Sequence, residues 1–379
     1  MYNINGKIII MLHNIQLIAM SENIGNSEVV NRRNVLRTLG AGGAGIVGIS
    51  TGGTVSADSI CTDYRDDLEE NNDYTWEEKD TASADNFDCS TLSPWHKVEH
   101  GAAILYLGST EINTRWTHEF LIVGHAEQFT RQKCYDGSWD REYGLAEHRA
   151  SFDTTQNYLS IVPEDDNYIR AAPDTDGNGG IPDEYWGYGA TGLSIAVGAQ
   201  SWVVGSGIAI AGALRNYVTN TEEDGEYDVS YTWGDTGRNP TNTPPCGTHS
   251  VYQTIDGNDD SGEFKFDYID ESWGNYPNYT KVKFELDYTD PALRSKNSKD
   301  KSITEGDIVT NSKGQDIKVT NSTQNTTQLK SNKDSKKVPV EDLSPAVQEK
   351  VEMESGTVTR HFLPATVKKT SIGGKILDR

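Results

Sequence analysis

The segment DTDGNGG, at residues 174–180, has the spacing of a calcium-binding loop. Asp174, Asp176 and Asn178 stand at alternate positions, and the glycine that follows lets the backbone bend so that their oxygens converge on one hard cation. Asp183 offers a further carboxylate, but Tyr185 occupies the position where these loops usually carry a bidentate Glu. The pattern predicts a weak Ca²⁺ site, with a plain acidic turn as the alternative.

The histidines do not have the spacing of a catalytic zinc site. His118 and Glu119 are followed by His125, which is too distant for the HExxH pattern, and the segment has the composition of a strand. Residues seven apart on a regular strand point to opposite faces, so His118 and His125 are not expected to share a metal ion. His96 and His100 have the spacing of one helical face, but a proline and a glycine leave barely one turn there.

The remaining reactive residues give no recognisable catalytic arrangement. A P-loop is absent, and the cysteines and histidines show no familiar nucleophile–base spacing. Carboxylates are so abundant that a catalytic pair can be drawn almost anywhere, and such a pair therefore carries no information. We expect a protein that is not an enzyme, with an unrecognised hydrolase as an alternative.

The cysteines are spaced as disulfide partners rather than as zinc ligands, because no CxxC pair occurs. In an exported protein they favour up to two disulfides, with three connectivities open, and free buried thiols are the alternative. The four candidates are Cys61, Cys89, Cys134 and Cys246.

The elements that position these residues are predicted to be mainly strands. Runs such as GAAILYLGSTEI and EYDVSYTW are rich in β-branched and aromatic residues and are separated by Gly, Asp and Asn. In KVKFELDY, apolar Val282, Phe284 and Leu286 alternate with charged residues, which predicts one buried and one wet face. About eight such runs predict an antiparallel sandwich or a barrel-like assembly.

One long apolar run interrupts the strand pattern. Residues 185–214 contain no charged side chain, but they include seven glycines, each of which costs roughly 1 kcal/mol of helix propensity relative to alanine. Small residues recur every fourth position in this run, a spacing that lets a second element approach closely. One row consists of Ser201, Gly205, Ala209 and Ala213, and a shorter row has Gly198 as its last member and ends at the bulky Trp202.

The apolar run has three interpretations. It is a buried core helix or helical hairpin, a membrane-active element that is sheltered in the fold and released at a target, or a permanent membrane anchor. The expected fold is therefore mainly β with α (α+β), in which antiparallel sandwich-like strands surround a central Gly-rich apolar helix or helical hairpin at 185–217.

The charge of the chain is strongly negative and unevenly distributed. The net charge is −23, and residues 58–293 hold 14 Lys and Arg against 44 Asp and Glu, a net charge of −30. Molar salt reduces the screening length to roughly 3 Å and suppresses the repulsion among these carboxylates. The composition predicts a halophilic protein, or else an acidic secreted one, and it excludes nucleic acid as a partner.

The N-terminal region has the features of an export signal. Arg32 and Arg33 precede a Gly-rich, weakly apolar stretch, and Val55-Ser56-Ala57 has the small-residue pattern of a cleavage site. This segment resembles a twin-arginine signal, which implies secretion in folded form through the twin-arginine export machinery.

The composition also divides the chain into segments. We expect an upstream extension at 1–19, a signal peptide at 20–57, an acidic irregular arm at 58–97, a β-rich domain at 98–293, a polar linker at 294–338 and a small C-terminal segment at 339–379.

This layout resembles that of the larger protein halocins, antimicrobial proteins that haloarchaea secrete against their relatives. The features in common are the twin-arginine leader, the acidic mature part, the strand-rich flanks and the central Gly/Ala-rich segment, with GATGLSIAVGA closest in character. The resemblance implies action at the membrane of a competing cell, or on a membrane protein in it, without catalytic residues. The alternative is a secreted or cell-surface β-sandwich binding module, with or without a stabilising calcium ion, in which residues 185–214 are only core.

Overall fold

The computed structural model describes the chain in several ranges. They are residues 74–85, 95–112, 115–131, 139–141, 144–154, 159–161, 171–172, 223–224, 228–234, 246–257, 262, 264–274, 276–288, 302–330, 335–343, 347–348, 351 and 357–377.

Within these ranges the chain forms strands that belong to two antiparallel sheets, here called sheet A and sheet B. In chain order the strands are β1 (Trp76–Asp85), β2 (Trp95–Ile112), β3 (Arg115–Arg131), β4 (Asp140–Arg141), β5 (Leu145–Asp153), β6 (Leu159–Ile161), β7 (Ala171–Ala172), β8 (Glu223–Asp224), β9 (Asp228–Gly234), β10 (Cys246–Gly257), β11 (Phe264–Gly274), β12 (Asn278–Tyr288), β13 (Ile308–Thr310), β14 (Asp316–Leu329), β15 (Lys336–Pro339), β16 (Thr357–His361) and β17 (Ala365–Ile376).

Sheet A is built around three long strands in the order β2-β3-β10. Strand β2 pairs along one edge with β1 and β16, β15 extends the sheet beyond β16, and the short strands β4, β6 and β7 pair with β3 or β10. Sheet B has the order β13-β14-β17-β12-β11-β5-β9-β8. Segments before and after the apolar run therefore contribute neighbouring strands to both sheets.

The core lies between the two sheets and is largely aromatic. On β2 the inward residues Ile104 and Tyr106 are fully buried, and on β11 Phe264, Phe266 and Tyr268 meet them from the opposite sheet. Aromatic rings make direct contacts across the space, as in the 6.1 Å separation of the Tyr106 and Phe264 ring centroids. This packing buries the alternating apolar residues of both sheets.

Sheet A is also apolar on the side that faces away from sheet B, which we call its outer face. Alternation along β2, β3 and β10 places a second set of side chains there, and all of them are buried although they are outside the inter-sheet core. They are Ala103, Leu105, Leu121, Val123 and Tyr252. The central strands of sheet A are therefore buried on both faces, which accounts for their nearly continuous apolar sequences.

The expected α+β fold with strands around a central helix is wrong, because the described residues form an all-β structure. Aromatic side chains from both sheets fill the inter-sheet space and leave no layer for a helix there. Helical geometry in the described ranges is limited to a 3-10 turn at Val340–Asp342 and one turn at 347–348. No helix in these ranges is long and apolar enough to cross a bilayer. Residues 185–217 lie outside the described ranges.

Two other segments contain more regular structure than their composition predicts. The expected irregular arm includes β1, and the expected linker includes β13 and β14. The C-terminal segment supplies β17, which lies between β14 and β12. Polar composition misled the prediction because these strands have only one face on the core, as in the burial pattern of β1.

Candidate functional site

Four ionisable side chains converge at one end of the inter-sheet core. His100 on β2 and His249 on β10 come from sheet A, whereas His148 on β5 and Asp270 on β11 come from sheet B. All four are buried, and their exposed fractions do not exceed 1%. We call them the His/Asp cluster.

Each member of the cluster continues the inward apolar stripe of its own strand. His148 precedes Ala150 and Phe152 on β5, and Asp270 follows Phe266 and Tyr268 on β11, with two-residue spacing in both strands. Because alternate residues of a strand share a face, the apolar stripe carries the polar residue into the core. The same rule places His100 and His249 inside.

Asp270 is the centre of the cluster. Its Oδ1 lies 2.9 Å from Nε2 of His100, and its Oδ2 lies 2.9 Å from Nε2 of His249. The ring of His148 lies edge-on to both other rings, with centroids 5.6 Å from that of His100 and 5.3 Å from that of His249. Ligand atoms of His100, His148 and Asp270 all lie within 4.8 Å of one another.

Several of these buried atoms lack a hydrogen bond within the described part of the chain. Both ring nitrogens of His148 are in this state. Nε2 of His100 and Oδ1 of Asp270 are close together but are not aligned for a hydrogen bond, and neither has another. A buried polar group without a partner costs about 1–3 kcal/mol, so a group of them at one point needs an explanation.

Neighbouring side chains orient the cluster. Oγ1 of Thr280 lies 3.3 Å from Nδ1 of His100, which turns Nε2 of that ring toward Asp270. The Tyr268 hydroxyl donates to Oδ2 of Asp270. On β3 the position facing the cluster is Gly124, where the side-chain space is already taken by Asp270 and His249.

Burial and the neighbouring charges set the protonation of the cluster. Burial raises the pKa of Asp270, but the charges of His249 and His100 outweigh it and hold that pKa well below the usual aspartate range. Burial lowers the pKa of His148 far below that of a free imidazole, and His249 and His100 lower it further. The carboxylate of Asp270 is therefore ionised and His148 is neutral.

The structure places the other histidines apart from the cluster. His118 faces Phe264 at the opposite end of the core, where its Nδ1 lies 2.5 Å from Oγ of Ser109. Burial lowers the pKa of His118 to about 3. Nε2 of His125 lies 3.0 Å from Oε1 of Glu127 on the same strand. His118 points into the core, and His125, seven positions later in β3, lies on the opposite face of that strand.

His96 and His100, whose spacing is that of one helical face, both lie in strand β2. The ring of His96 stacks on Tyr276, whereas His100 joins the cluster. His148, His249 and Asp270 were not predicted as site residues. The signal that marks them is a His or Asp at a position where the apolar alternation of a strand demands a core residue.

Most of the predicted site residues lie outside the described ranges. This holds for the signal residues Arg32 and Arg33, for the calcium ligands Asp174, Asp176, Asn178 and Asp183, and for the apolar-run residues Gly198, Ser201, Trp202, Gly205, Ala209 and Ala213. Among the cysteines, Cys246 begins β10, and Cys61, Cys89 and Cys134 lie outside. These assignments remain predictions.

Comparisons with known proteins assign no family. The chain matches no protein-family model and no curated protein. Among solved structures, the N-terminal domain of a Streptococcus gordonii adhesin aligns over 84% of this chain and 89% of its own length, with 7% identity and a TM-score of 0.11. A similarity of this size supports no conclusion about fold or function.

Proposed function

We propose that the chain is an exported, halocin-like antimicrobial protein that shelters an apolar segment, residues 185–214, and releases it at the membrane of a competing haloarchaeal cell. The observation that carries the proposal is the apolar outer face of sheet A. The four aliphatic members of that face have no measurable exposure, although they are outside the core shared with sheet B.

The outer face gives the exported chain an uncharged surface on which an apolar segment can be sheltered. At one end of the face, Glu119 accepts a hydrogen bond from Tyr252 and forms an ion pair with Arg360. At the other end lie Glu99 and Glu127. The apolar side chains therefore form a bounded strip between buried polar groups. An apolar strip of this kind needs a covering layer in water.

The composition of the segment fits temporary rather than permanent contact with a membrane. Its seven glycines weaken helix formation in comparison with a Leu-rich anchor, and its small residues allow close packing on a protein surface. Folded export requires that the segment be covered during transit. The large negative charge of the mature part suits release into a medium of high salt.

The direct test compares cell-free supernatants of a producing strain and of a strain that lacks this gene. Both are applied to lawns of a broad panel of related halophiles. We expect growth inhibition only from the producer, and restoration when the gene is returned. Equal results from both strains across the panel would exclude the antimicrobial function.

A second test separates a released segment from a core segment. The double variant Gly205→Leu, Ala209→Leu removes the close-packing row, whereas Gln328→Leu places a leucine at an exposed position of β14. Release at a membrane predicts that the double variant is exported normally but no longer kills. Gln328→Leu is expected to keep both properties.

The all-β architecture also favours a second candidate, a secreted or cell-surface binding module. Two antiparallel sheets with their loops at the ends are a common scaffold for recognition. This candidate predicts that the double variant misfolds and is not exported, because residues 185–214 are then core. It also predicts that the supernatants of the producing and the deletion strain give the same result in the lawn assay.

A further inference from the structure

We propose that the His/Asp cluster binds one divalent first-row transition-metal ion, which ties sheet A to sheet B. The three ligands that the structure places together are Nε2 of His100, one ring nitrogen of His148 and the carboxylate of Asp270. The proposed fourth is Nε2 of His249, which contacts Oδ2 of Asp270. The proposal does not depend on the antimicrobial function, since metal content is measured on the purified protein.

The spacing of the donor atoms is that of ligands around a single ion. With metal–nitrogen distances of about 2.0–2.1 Å, neighbouring ligands of a four- or six-coordinate ion lie about 3–3.4 Å apart. The two contacts of 2.9 Å that Asp270 makes with His100 and His249 are close to this range. A ring nitrogen of His148 lies within 4.8 Å of the ligand atoms of His100 and Asp270, whereas His249 joins the group through its contact with Asp270.

The unaligned contacts distinguish a metal site from a simple hydrogen-bonded network. In a network without metal, the imidazole N–H of His100 would point at the Asp270 carboxylate, but these two atoms lack hydrogen-bond alignment. His148 is fully buried and uses neither ring nitrogen for a hydrogen bond within the described ranges. An ion between them would take up the lone pairs of all these atoms at once.

The types of donor narrow the choice of ion. Three imidazoles and one carboxylate suit Zn²⁺, Fe²⁺, Co²⁺ or Ni²⁺, whereas calcium and magnesium prefer all-oxygen sites and copper(I) prefers sulfur. This site is therefore chemically different from the calcium loop predicted at 174–183.

The surroundings of the cluster match those of a structural site. Thr280 holds the remaining nitrogen of His100, and Tyr268 holds Asp270, so two ligands have outer-shell partners that fix their orientation. Four protein ligands saturate a tetrahedral ion, and their complete burial excludes substrate. Because both sheets contribute two ligands, the ion stabilises the packing of one sheet on the other.

The first experiment measures metal in the full secreted chain, purified in molar salt without chelator, by inductively coupled plasma mass spectrometry. We expect one equivalent of a first-row transition metal per chain. His148→Gln removes a ligand that makes no hydrogen bond in the described ranges, and it should reduce metal to background. His118→Gln changes another fully buried core histidine and should retain the full equivalent.

The second experiment remains informative if His148→Gln fails to fold. Wild-type protein is unfolded in denaturant with chelator and refolded with Co²⁺ as the only metal. We expect the visible absorption of Co²⁺ with nitrogen and oxygen ligands. Once the free Co²⁺ concentration exceeds its dissociation constant, each further tenfold rise in that concentration should lower the unfolding equilibrium constant about tenfold.

Two results would overturn the proposal. One is a wild-type protein that contains no metal as purified and takes up none of Zn²⁺, Co²⁺, Fe²⁺ or Ni²⁺ on refolding. The other is equal loss of metal from folded His118→Gln and folded His148→Gln, which would place the ion elsewhere.

Discussion

Gly124 and Asp270 approach each other so closely across the inter-sheet space that a Cβ atom on Gly124 would lie 2.2 Å from Oδ2 of Asp270. The same Cβ would lie 2.3 Å from Cε1 of His249. Real Cβ contacts are much longer, so sheet A accommodates the His/Asp cluster only because β3 lacks a side chain at this point. Gly124 in the central strand of sheet A therefore leaves the space that the Asp270 carboxylate of sheet B occupies.

Replacing Gly124 with alanine should disrupt this fit. The added methyl group has to displace a buried carboxylate that His100, His249 and Tyr268 all contact, and overpacking of this kind costs about 3 kcal/mol. Denaturant unfolding of Gly124→Ala in molar salt measures the loss. A variant as stable as the wild type would show that the carboxylate does not occupy this position.

The local part of the fold could be predicted from the sequence. The alternation of Val282, Phe284 and Leu286 with charged residues predicts a half-buried strand, and these three residues are fully buried in β12. The layer that the strands pack against could not be predicted. An apolar run between strand-rich segments indicated a central helix, but the aromatic residues of the strands themselves fill the inter-sheet space.

The site was harder to predict because its members are distant in sequence. His100 and Asp270 are 170 positions apart (270 − 100) and meet only after two sheets form and pack. Such pairings depend on strand order and register, which the local residue patterns of one sequence do not reveal. Each member is nevertheless visible alone as a polar residue on an apolar stripe, such as His249 two positions before Val251.

A buried ion pair joins the C-terminal part of the chain to sheet A. NH2 of Arg360 lies 2.8 Å from Oε2 of Glu119, and the same NH2 donates to the carbonyl oxygen of Leu107. Glu119 has no measurable exposure. Arg360→Met leaves that carboxylate buried without its cation, which should cost about 3–5 kcal/mol by denaturant unfolding.

The double variant Glu119→Gln, Arg360→Met is the matched control. It removes both charges, so it should be more stable than Arg360→Met alone even though it carries one more substitution. If the stability lost in the double variant equals the sum of the losses measured for Glu119→Gln alone and Arg360→Met alone, the two charges do not interact.

The packing of β1 on β17 depends on a second glycine. A Cβ on Gly373 would lie 1.6 Å from the carbonyl oxygen of Ser83, which is backbone and cannot rotate away. Gly373→Ala should therefore separate the two strands and destabilise the protein by at least about 3 kcal/mol. Under native conditions, proteases should cleave the Gly373→Ala variant within residues 76–85 faster than they cleave the wild type.

Gly306 supplies the comparison for this prediction. It has a positive φ of 91°, but a Cβ there would meet no atom within 4 Å. Gly306→Ala should cost only about 1 kcal/mol, the usual strain of alanine in that conformation. If Gly373→Ala and Gly306→Ala lose the same amount of stability, the close approach of β1 is not the reason for a glycine at position 373.

A pH dependence should arise from Glu99. Burial raises the pKa of Glu99 to about 7; Lys97 opposes this shift and the charge of Glu127 adds to it. Folding therefore favours the protonated form. The resulting stability is present in full below the unfolded pKa of about 4.5, falls as the pH rises from there to about 7, and stays low above it.

Glu99→Gln mimics the protonated carboxyl and should remove this loss. We expect the variant to match the wild type near pH 4.5 and to exceed its free energy of unfolding by about 3 kcal/mol at pH 8. Denaturant unfolding across that range in molar salt measures both curves. Glu305→Gln changes an exposed carboxylate and should leave the wild-type slope unchanged. A constant gap between the Glu99→Gln and wild-type curves at every pH would contradict titration of Glu99 as the cause.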